Sequence, residues 1–282
     1  MVERKITMWN WQSFEGLPYL TCELLEGFVH GFFTRQWRPR TPTELTHALQ
    51  SQSEQAIAYH LKQVHGNIVL TPTEIYQQHP TPLPDEEEKE RELPPGDGVL
   101  TETRNQGAWV CTADCVPALI ADTATGQVAA AHAGWRGTAA RIVPTAISRM
   151  QAQGSRIEDL RVALGPAIAG SVYQVTSAVA AEVIASVVPV AAGSLQTRST
   201  DDIEAILAEV RPLPDSPLLP DPQPGRERLD VRRINALQLE QLGFTAEQMA
   251  IAPHCTFQTP DRFFSYRRQP ERKVQWSGII SR

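Results

Sequence analysis

The feature that most constrains the fold is a group of three strand-length apolar segments in the middle of the chain. They are "DGVLTE" at 97–102, "AWVCTADCVPALIAD" at 108–122 and "GQVAAAHAG" at 126–134. Short apolar runs bounded by turn residues, such as Thr125-Gly126 before the last run, indicate buried strands. Buried strands require other elements packed over them, so this region predicts the centre of a layered fold.

The segments around this region supply helices and further strands. Helices are predicted over 137–154, 171–193 and 231–243, and two more strands over 159–170 and 248–255. Pro144 must kink the first helix or begin a second one, and Gly243 ends the last helix. Strands outnumber helices without a strict alternation of the two, which predicts an α+β layered fold.

The length of the chain favours one large domain. Its 282 residues, 41% of them hydrophobic, are enough to bury a single core, and we expect one domain over 1–282. Two proline-rich segments, 79–96 and 211–228, are expected to be exposed surface insertions. Proline cannot donate to a strand ladder, so regular strands are not expected in either segment.

Charge and composition argue against several classes of protein. The net charge of −6 disfavours a nucleic-acid-binding protein, which would show a basic surface. No apolar run is long enough to span a bilayer, and the first residues carry charges where a signal peptide needs an apolar stretch. Four cysteines do not suggest a disulfide scaffold in a chain of this length. We therefore expect a cytoplasmic protein with reduced thiols and no membrane partner.

Three residues place soft metal ligands beside small neighbours. His65 precedes a glycine in "QVHG", Cys115 ends "TADC", and His132 lies in "AAAHAG". One thiolate and two imidazoles could bind a single metal ion, and such donors suit zinc or copper far better than magnesium. Catalytic zinc sites commonly use three protein ligands and leave a fourth position open. The spacing alone is not diagnostic, and a single histidine beside a glycine is more often a turn or core residue.

The same residues permit a second hypothesis without metal. Cys115 would be a nucleophile, His132 its base and Asp114 the group that orients the histidine. A carboxylate inside an apolar segment needs partners, which places Asp114 in a loop at a strand end. Cys111 is interpreted as a small buried hydrophobe.

Arginines that follow aromatic residues are candidate anion ligands. Arg35 and Arg136 could bind a phosphate or carboxylate, because a guanidinium binds such groups through two hydrogen bonds. Arg268 is interpreted as a salt-bridged or solvated residue. Four aromatic residues could form a slot for a flat base or could belong to the core, which is the commoner use of aromatic side chains: Phe33, Trp135, Phe264 and Tyr266.

Six motifs occur in an order that is typical of one family. They are "QVHG", "TADCVPALIAD", "AAAHAGWRGTAARIV", "GPAIAGSVYQV", "APHCTF" and "FFSYRR". Together they closely resemble the YfiH or laccase-domain family of polyphenol-oxidase-like proteins, from about His30 to Tyr266. The resemblance implies one α+β domain with a mixed β-sandwich layered between helices. It also implies that His65, Cys115 and His132 are the metal ligands.

The resemblance also implies an activity. Members of this family are credited with zinc-dependent phosphorolysis of adenosine, inosine, guanosine and methylthioadenosine, and with deamination of adenosine. On this hypothesis Cys115, Asp114 and Arg35 are catalytic: Arg35 holds phosphate and Asp114 is the candidate general acid or base. Arg35 and Arg136 bind the substrates, which are a purine nucleoside and phosphate. The sequence departs from the family pattern after Arg35, where residues 36–61 contain no glycine although the family has a glycine-rich stretch. Such a stretch can hold phosphate through its backbone N–H groups, so the departure bears on phosphate use.

Three alternatives stay open beside the phosphorylase hypothesis. The first is copper-dependent oxidation of phenols, although three ligands cannot build a multicopper cluster. The second is the metal-free cysteine hydrolase that uses Cys115 and His132. The third is a non-catalytic partner protein whose metal is structural.

Overall fold

Two β-sheets packed face to face position the candidate site. The computed structural model describes residues 8–50, 56–78, 93–188 and 199–282, so residues 79–92 of the predicted insertion at 79–96 lie outside the described residues. The strands are β1 (Trp9–Phe14), β2 (Leu17–Cys22), β3 (His30–Phe33), β4 (Ile57–Tyr59), β5 (Val69–Leu70), β6 (Gly98–Leu100), β7 (Gln106–Thr112), β8 (Val116–Asp122), β9 (Val128–Ala133), β10 (Leu160–Leu164), β11 (Gln174–Thr176), β12 (Leu218–Pro220), β13 (Arg226–Leu229), β14 (Met249–Ile251) and β15 (Gln275–Ile280).

The first sheet has the strand order β1-β2-β3-β15-β7-β4 and the second has the order β14-β10-β8-β9-β6-β5. Most neighbouring strands are antiparallel, and the parallel pairs in these two sheets are β4 with β7, β10 with β14 and β5 with β6. A short third sheet has the order β11-β13-β12. The three apolar segments at 97–102, 108–122 and 126–134 form β6, β7, β8 and β9, which include the central strands of the second sheet.

The second sheet is buried on both faces, which explains its nearly continuous apolar sequence. Along β8, Ala118 and Ile120 contribute to one core, while Leu119 and Ala121 contribute to another. This alternation follows from the two-residue period of a strand. The core that contains Leu119 and Ala121 also contains residues of the first sheet, such as Phe32, and it therefore fills the space between the two sheets.

Helices and aromatic side chains cover the outer faces of the sandwich. The helices are α1 (Pro42–Leu49), α2 (Pro72–Gln78), α3 (Trp135–Ala139), α4 (Ile142–Ala152), α5 (Ser177–Ile184), α6 (Thr200–Val210) and α7 (Val231–Gln241). Residues of α4, α5, α6 and α7 pack against the second sheet in one core. On the first sheet, Phe33 and Trp109 pack with Trp37 and with Leu45 of α1. The predicted α+β fold, a mixed β-sandwich layered between helices, is confirmed.

The helix predicted over 137–154 is present as two helices. Arg141 separates α3 from α4 and adopts a left-handed backbone conformation with φ of 61°. Pro144 is the third residue of α4. A backbone N–H at this position has no acceptor within the helix, so its absence in proline costs no helical hydrogen bond. The predicted end of α7 is also present, because Gly243 has φ of +95° just beyond the helix. No helix in the described ranges is both long and apolar enough to span a membrane.

Two predictions about regular structure are wrong. The helix predicted over 171–193 begins only at Ser177, because Gln174–Thr176 pairs with β13 and the Thr176 hydroxyl caps the start of α5. It ends at Ile184, and residues 189–193 of the prediction lie outside the described residues. In the segment 211–228, where prolines were expected to prevent strand ladders, Leu218–Pro220 pairs with β13. Pro220 is tolerated because β12 lies at the edge of its sheet, where a missing N–H breaks no ladder.

Candidate metal centre

The three predicted ligands converge from different parts of the sandwich. His65 lies in the loop between β4 and β5, Cys115 in the turn between β7 and β8, and His132 near the end of β9. Their ligand atoms all lie within 4.8 Å of one another, and the imidazole rings of the two histidines meet edge to face. These residues form the group of three metal donors that the described ranges contain.

The arrangement fits one zinc ion. Donor atoms placed 2.0–2.3 Å from a tetrahedral zinc are about 3.3–3.8 Å apart, so donors within 4.8 Å need only a small closure. One sulfur and two nitrogen donors are also the chemistry that zinc or copper prefers. His132 is buried and His65 is exposed, which leaves one side of the cluster open to solvent and to a fourth ligand.

A buried carboxylate that the sequence analysis missed joins two of these ligands. Asp97 has no exposed surface, and its Oδ1 lies 2.8 Å from Nδ1 of His132. The same carboxylate accepts hydrogen bonds from the backbone N–H groups of Val64, His65 and Gly66, at 3.3, 2.9 and 2.7 Å. The only signal for Asp97 in the sequence is its place between two glycines at the start of an apolar strand.

The loop that carries His65 is also held by Gln63, the residue before the three that contact Asp97. The side-chain amide of Gln63 accepts a hydrogen bond from the backbone N–H of Cys111 at 2.7 Å and donates one to its carbonyl at 2.8 Å. Gln63 therefore pairs with β7 as a neighbouring strand would. His65 itself has φ of 62°, which is uncommon for a residue other than glycine. Its position depends on these hydrogen bonds rather than on regular secondary structure.

Two glycines allow segments of backbone to pack closely around the ligands. A Cβ atom at Gly134 would lie 2.9 Å from Sγ of Cys115 and 3.3 Å from Cδ2 of His65. At Gly137 it would lie 2.9 Å from the carbonyl oxygen of Gly66. The small residues around His132 therefore leave room for the ligands contributed by the other two segments.

Charges in the cluster favour a thiolate. Burial opposes ionisation of Cys115, but the charge of His132 and hydrogen bonds from His132 and His65 outweigh it and lower the pKa of the thiol to about 6. Burial also opposes the charged form of His132 and by itself would lower its pKa. The interactions with Cys115 and Asp97 are stronger and raise that pKa to about 9. Burial raises the pKa of Cys111 to about 12, in agreement with its interpretation as an apolar neighbour.

Asp114 lies beside the cluster but does not orient His132, which corrects the metal-free hypothesis. Its Oδ1 accepts a hydrogen bond from the Thr256 hydroxyl at 2.6 Å, and its Oδ2 accepts one from the backbone N–H of Arg267 at 2.7 Å. The carboxylate that orients His132 is that of Asp97. Asp114 has φ of 95°, which suits the tight turn that delivers Cys115.

The arginines occupy different environments. Arg136 is exposed, lies over the ring of Trp135 and forms no ion pair with the described residues. Arg35 donates to the carbonyl of Pro260 and lies over the ring of Phe264, and none of its contacts within the described ranges is with the metal donors. Arg268 is bonded to backbone carbonyls rather than to a carboxylate.

Tyr173 is a further residue near the cluster that the sequence analysis did not select. Burial and the Cys115 charge raise the pKa of its phenol to about 12, while the charges of Arg267 and Arg136 act in the opposite direction. The guanidinium of Arg267 lies 4.8 Å from the centre of the Tyr173 ring. Tyr173 is therefore within electrostatic reach of both the metal donors and two cationic side chains.

The four aromatic residues considered as a slot do not form one. Phe33 is 1% exposed and belongs to the core beside α1, whereas Tyr266 is 59% exposed. Trp135 packs against the helical core, and Phe264 lies under Arg35. Phe33 is a core residue, the commoner use of an aromatic side chain.

Comparison with known proteins agrees with this geometry. The sequence profile described as "Multi-copper polyphenol oxidoreductase laccase" matches residues 40–280. A purine nucleoside phosphorylase of Synechocystis is 50% identical over 275 residues, which cover 97% of each chain. A protein named adenosine deaminase, from an unknown prokaryotic organism, is 29% identical over 184 residues, or 65% of this chain and 61% of that protein.

Solved structures share the fold. YlmD from Geobacillus stearothermophilus superposes with a TM-score of 0.72 at 23% identity, covering 96% of this chain and 98% of that one. YfiH from Bacillus licheniformis gives a TM-score of 0.68 at 21% identity, covering 94% and 96%. The chain belongs to the laccase-like family that the profile describes, and its relatives include proteins named as purine nucleoside phosphorylases.

The close approach at Gly134 predicts a selective defect. Replacing Gly134→Ala should lower the affinity for zinc about tenfold or more, because the new methyl group displaces the Cys115 sulfur from its position. Competition with a chromophoric chelator measures that affinity. The matched control is Gly107→Ala, whose Cβ would lie equally close, at 2.9 Å, to Nε1 of Trp109. Gly107→Ala should lower stability but leave zinc affinity unchanged; equal zinc affinities in both variants would contradict the prediction.

Proposed function

We propose that this protein is a zinc-dependent purine nucleoside phosphorylase that also deaminates adenosine. The observation that carries the proposal is the three-donor cluster of His65, Cys115 and His132, which has an open side. The 50% identity to a relative named purine nucleoside phosphorylase, over nearly the whole chain, supports the phosphorolysis. The relative named adenosine deaminase supports the second activity. Adenosine, inosine, guanosine and methylthioadenosine are the proposed nucleosides.

The chain contributes the ligands and their orientation. His65, Cys115 and His132 would hold zinc, and copper is a second possible occupant of the same donors. Zinc would supply Lewis-acid chemistry at the position that the three ligands leave open. Asp97 keeps the Nδ1 side of His132 engaged, so that Nε2 faces the cluster. The thiolate form of Cys115, favoured by both histidines, is the form that binds a metal.

Phosphorolysis also requires an anion ligand near the sugar. In this reaction a phosphate oxygen forms a bond to C1′, the bond from C1′ to the purine breaks, and the purine leaves with a proton. Arg136 is proposed as a phosphate ligand because it is exposed and has no ion pair in the described ranges. Its charge also acts on the pKa of the Tyr173 phenol, as does that of the metal donor Cys115. Arg35 is proposed as a second phosphate ligand, since only one nitrogen of its guanidinium group, Nη1, has a hydrogen-bond partner among the described residues.

The proposed role of Asp114 is to position the site. Both oxygens of its carboxylate already accept hydrogen bonds, from Thr256 and from the backbone of Arg267. These bonds tie the Cys115 turn to the loop that carries Arg267. Because both oxygens are already engaged, we assign Asp114 to holding the turn in place and not to transferring a proton to substrate.

The first test of the function is a product assay. Zinc-loaded protein incubated with adenosine and phosphate should give adenine and ribose 1-phosphate, and phosphate should be required for both products. Liquid chromatography with mass spectrometry separates these from inosine, the deamination product. Cys115→Ala should abolish both activities because it removes a proposed metal ligand.

The matched control is Cys111→Ala, four residues earlier and outside the donor cluster. It should keep both activities and bind zinc normally. Inosine without adenine would support deamination alone and contradict the phosphorylase assignment. No product from zinc-loaded protein with any of the four nucleosides would overturn the proposed function.

The proposed phosphate ligand leads to a kinetic prediction. Arg136→Gln should raise the KM for phosphate about tenfold, because one charge-assisted hydrogen bond contributes about 1.5 kcal/mol. The KM for the nucleoside should change little. The control is Arg156→Gln, since Arg156 is also exposed but is paired with Glu158. An unchanged phosphate KM in Arg136→Gln would remove this residue from the phosphate site.

One observation favours a second candidate function. His132 lies between Cys115 and Asp97, so the three side chains also have the order of a nucleophile, its base and an orienting carboxylate. A cysteine hydrolase would use this arrangement without metal. The two candidates differ in whether the sulfur is bonded to a metal in the active protein.

Alkylation distinguishes these candidates. If zinc is the cofactor, Cys115 in the zinc-loaded protein should resist iodoacetamide and should react after the metal is removed by a chelator. Mass spectrometry of the Cys115 peptide measures the modification, and the Cys111 thiol, whose pKa is raised by burial, serves as an internal reference. Rapid alkylation of Cys115 despite stoichiometric zinc would favour the hydrolase.

A further inference from the structure

We propose that Asp97 is the positioning residue of the metal centre and that it controls two ligands at once: His132 through its ring and His65 through its backbone. The inference shares only the metal with the proposed function. It holds for any reaction that the centre performs, because it concerns how the ligands are held before substrate binds. The hydrogen bonds between Asp97 and the two ligand segments form two groups, one for each ligand.

The first group fixes the ring of His132. The Oδ1 atom of Asp97 is 2.8 Å from Nδ1, and the backbone N–H of His132 donates to the Asp97 carbonyl at 2.7 Å. A carboxylate can only accept from the ring, so Nδ1 carries a proton and Nε2 is left as the metal donor. Outer carboxylates that hold metal-binding histidines in this way commonly change metal affinity by 10–100-fold when they are replaced.

The second group fixes the loop of His65. Three consecutive backbone N–H groups, those of Val64, His65 and Gly66, point at the same carboxylate. Successive N–H groups that converge in this way form a concavity for an anion, and a positive φ at the central residue is a feature of such turns. The φ of 62° at His65 is therefore explained by the carboxylate on which the loop closes.

Asparagine at this position would disturb both groups. Its amide has one acceptor oxygen and one NH₂ group, whereas the site presents four donors to the two carboxylate oxygens. Either a backbone N–H or the protonated Nδ1 of His132 would then face another donor. The shape of the side chain is unchanged, so Asp97→Asn tests the hydrogen bonding with little change in packing.

The chain offers a matched control in Asp122. This aspartate is also completely buried in the second sheet, and its Oδ1 accepts hydrogen bonds from the backbone N–H groups of Ala124 and Thr125. It ends β8, whereas Cys115 precedes the first residue of that strand. Seven residues of extended chain place the two about 20 Å apart. Asp122→Asn therefore reports the cost of the substitution at a buried site away from the metal.

Zinc affinity and the spectrum of bound cobalt test the inference. Chelator competition should show zinc affinity 10–100-fold lower in Asp97→Asn than in the unaltered protein and unchanged in Asp122→Asn. Co²⁺ bound in Asp97→Asn should show altered visible bands, because the orientation of two ligands has changed. Denaturant unfolding of the metal-free variants measures stability separately. Lower stability with unchanged zinc affinity and an unchanged cobalt spectrum would overturn the inference.

A measurement on the unaltered protein covers the case in which Asp97→Asn does not fold. Two-bond ¹H–¹⁵N spectra of zinc-loaded protein labelled at histidine should show a proton on Nδ1 of His132 and an Nε2 resonance shifted from its position in the zinc-free protein. Zinc coordination through Nδ1 would overturn the inference. Because no nucleoside is present in either experiment, failure of phosphorolysis leaves both results interpretable. A protein that binds no zinc would contradict the proposed function and this inference together.

Discussion

The metal centre depends on how the protein stabilises one buried carboxylate, that of Asp97. Moving an ionised carboxylate from water into a protein interior costs several kcal/mol unless hydrogen bonds and opposite charge replace the lost hydration. Asp97 has no exposed surface, and burial alone would raise its pKa, but His132 and the N–H groups of the 64–66 loop hold that pKa below its ordinary value. These partners are present together only when the loop is closed against β9. The contacts that allow Asp97 to be buried thus also place two metal ligands.

The sandwich architecture explains why the ligands meet at this place. The turn that contains Cys115 leads from β7 in the first sheet to β8 in the second, and His132 lies opposite Pro117 in the register of β8 and β9. Asp97 immediately precedes β6, whose first residue, Gly98, pairs with Ala131 of β9. Gln63 attaches the remaining ligand loop to β7. The centre therefore sits at the end of the sandwich where the chain crosses from β7 to β8.

The sequence predicts the ligands better than it predicts what holds them. His65, Cys115 and His132 stand out because polar donors are unusual among small apolar residues, and the resemblance of six motifs supports the same set. Asp97 gives almost no local signal, because a Gly-Asp-Gly segment after prolines is typical of a turn. Its role arises from the pairing of β6 with β9, more than 30 residues away along the chain. Similarly, the apolar run over 171–193 predicts one helix, whereas the structure has β11 followed by α5. Thr176, which caps α5, is the residue type that marks a helix start.

The segment that lacks glycine after Arg35 constrains how an anion could be bound. Several backbone N–H groups in its described part are already engaged: those of Arg38 and Arg40 close short turns, and those of Thr41 and Glu44 belong to the capping box of α1. A glycine-rich loop holds phosphate through free N–H groups, and these four N–H groups are not free to do so. Phosphate bound here would have to be held by side chains. This favours guanidinium groups as phosphate ligands, as proposed for Arg136, and makes the arginine variants more informative than changes to the loop.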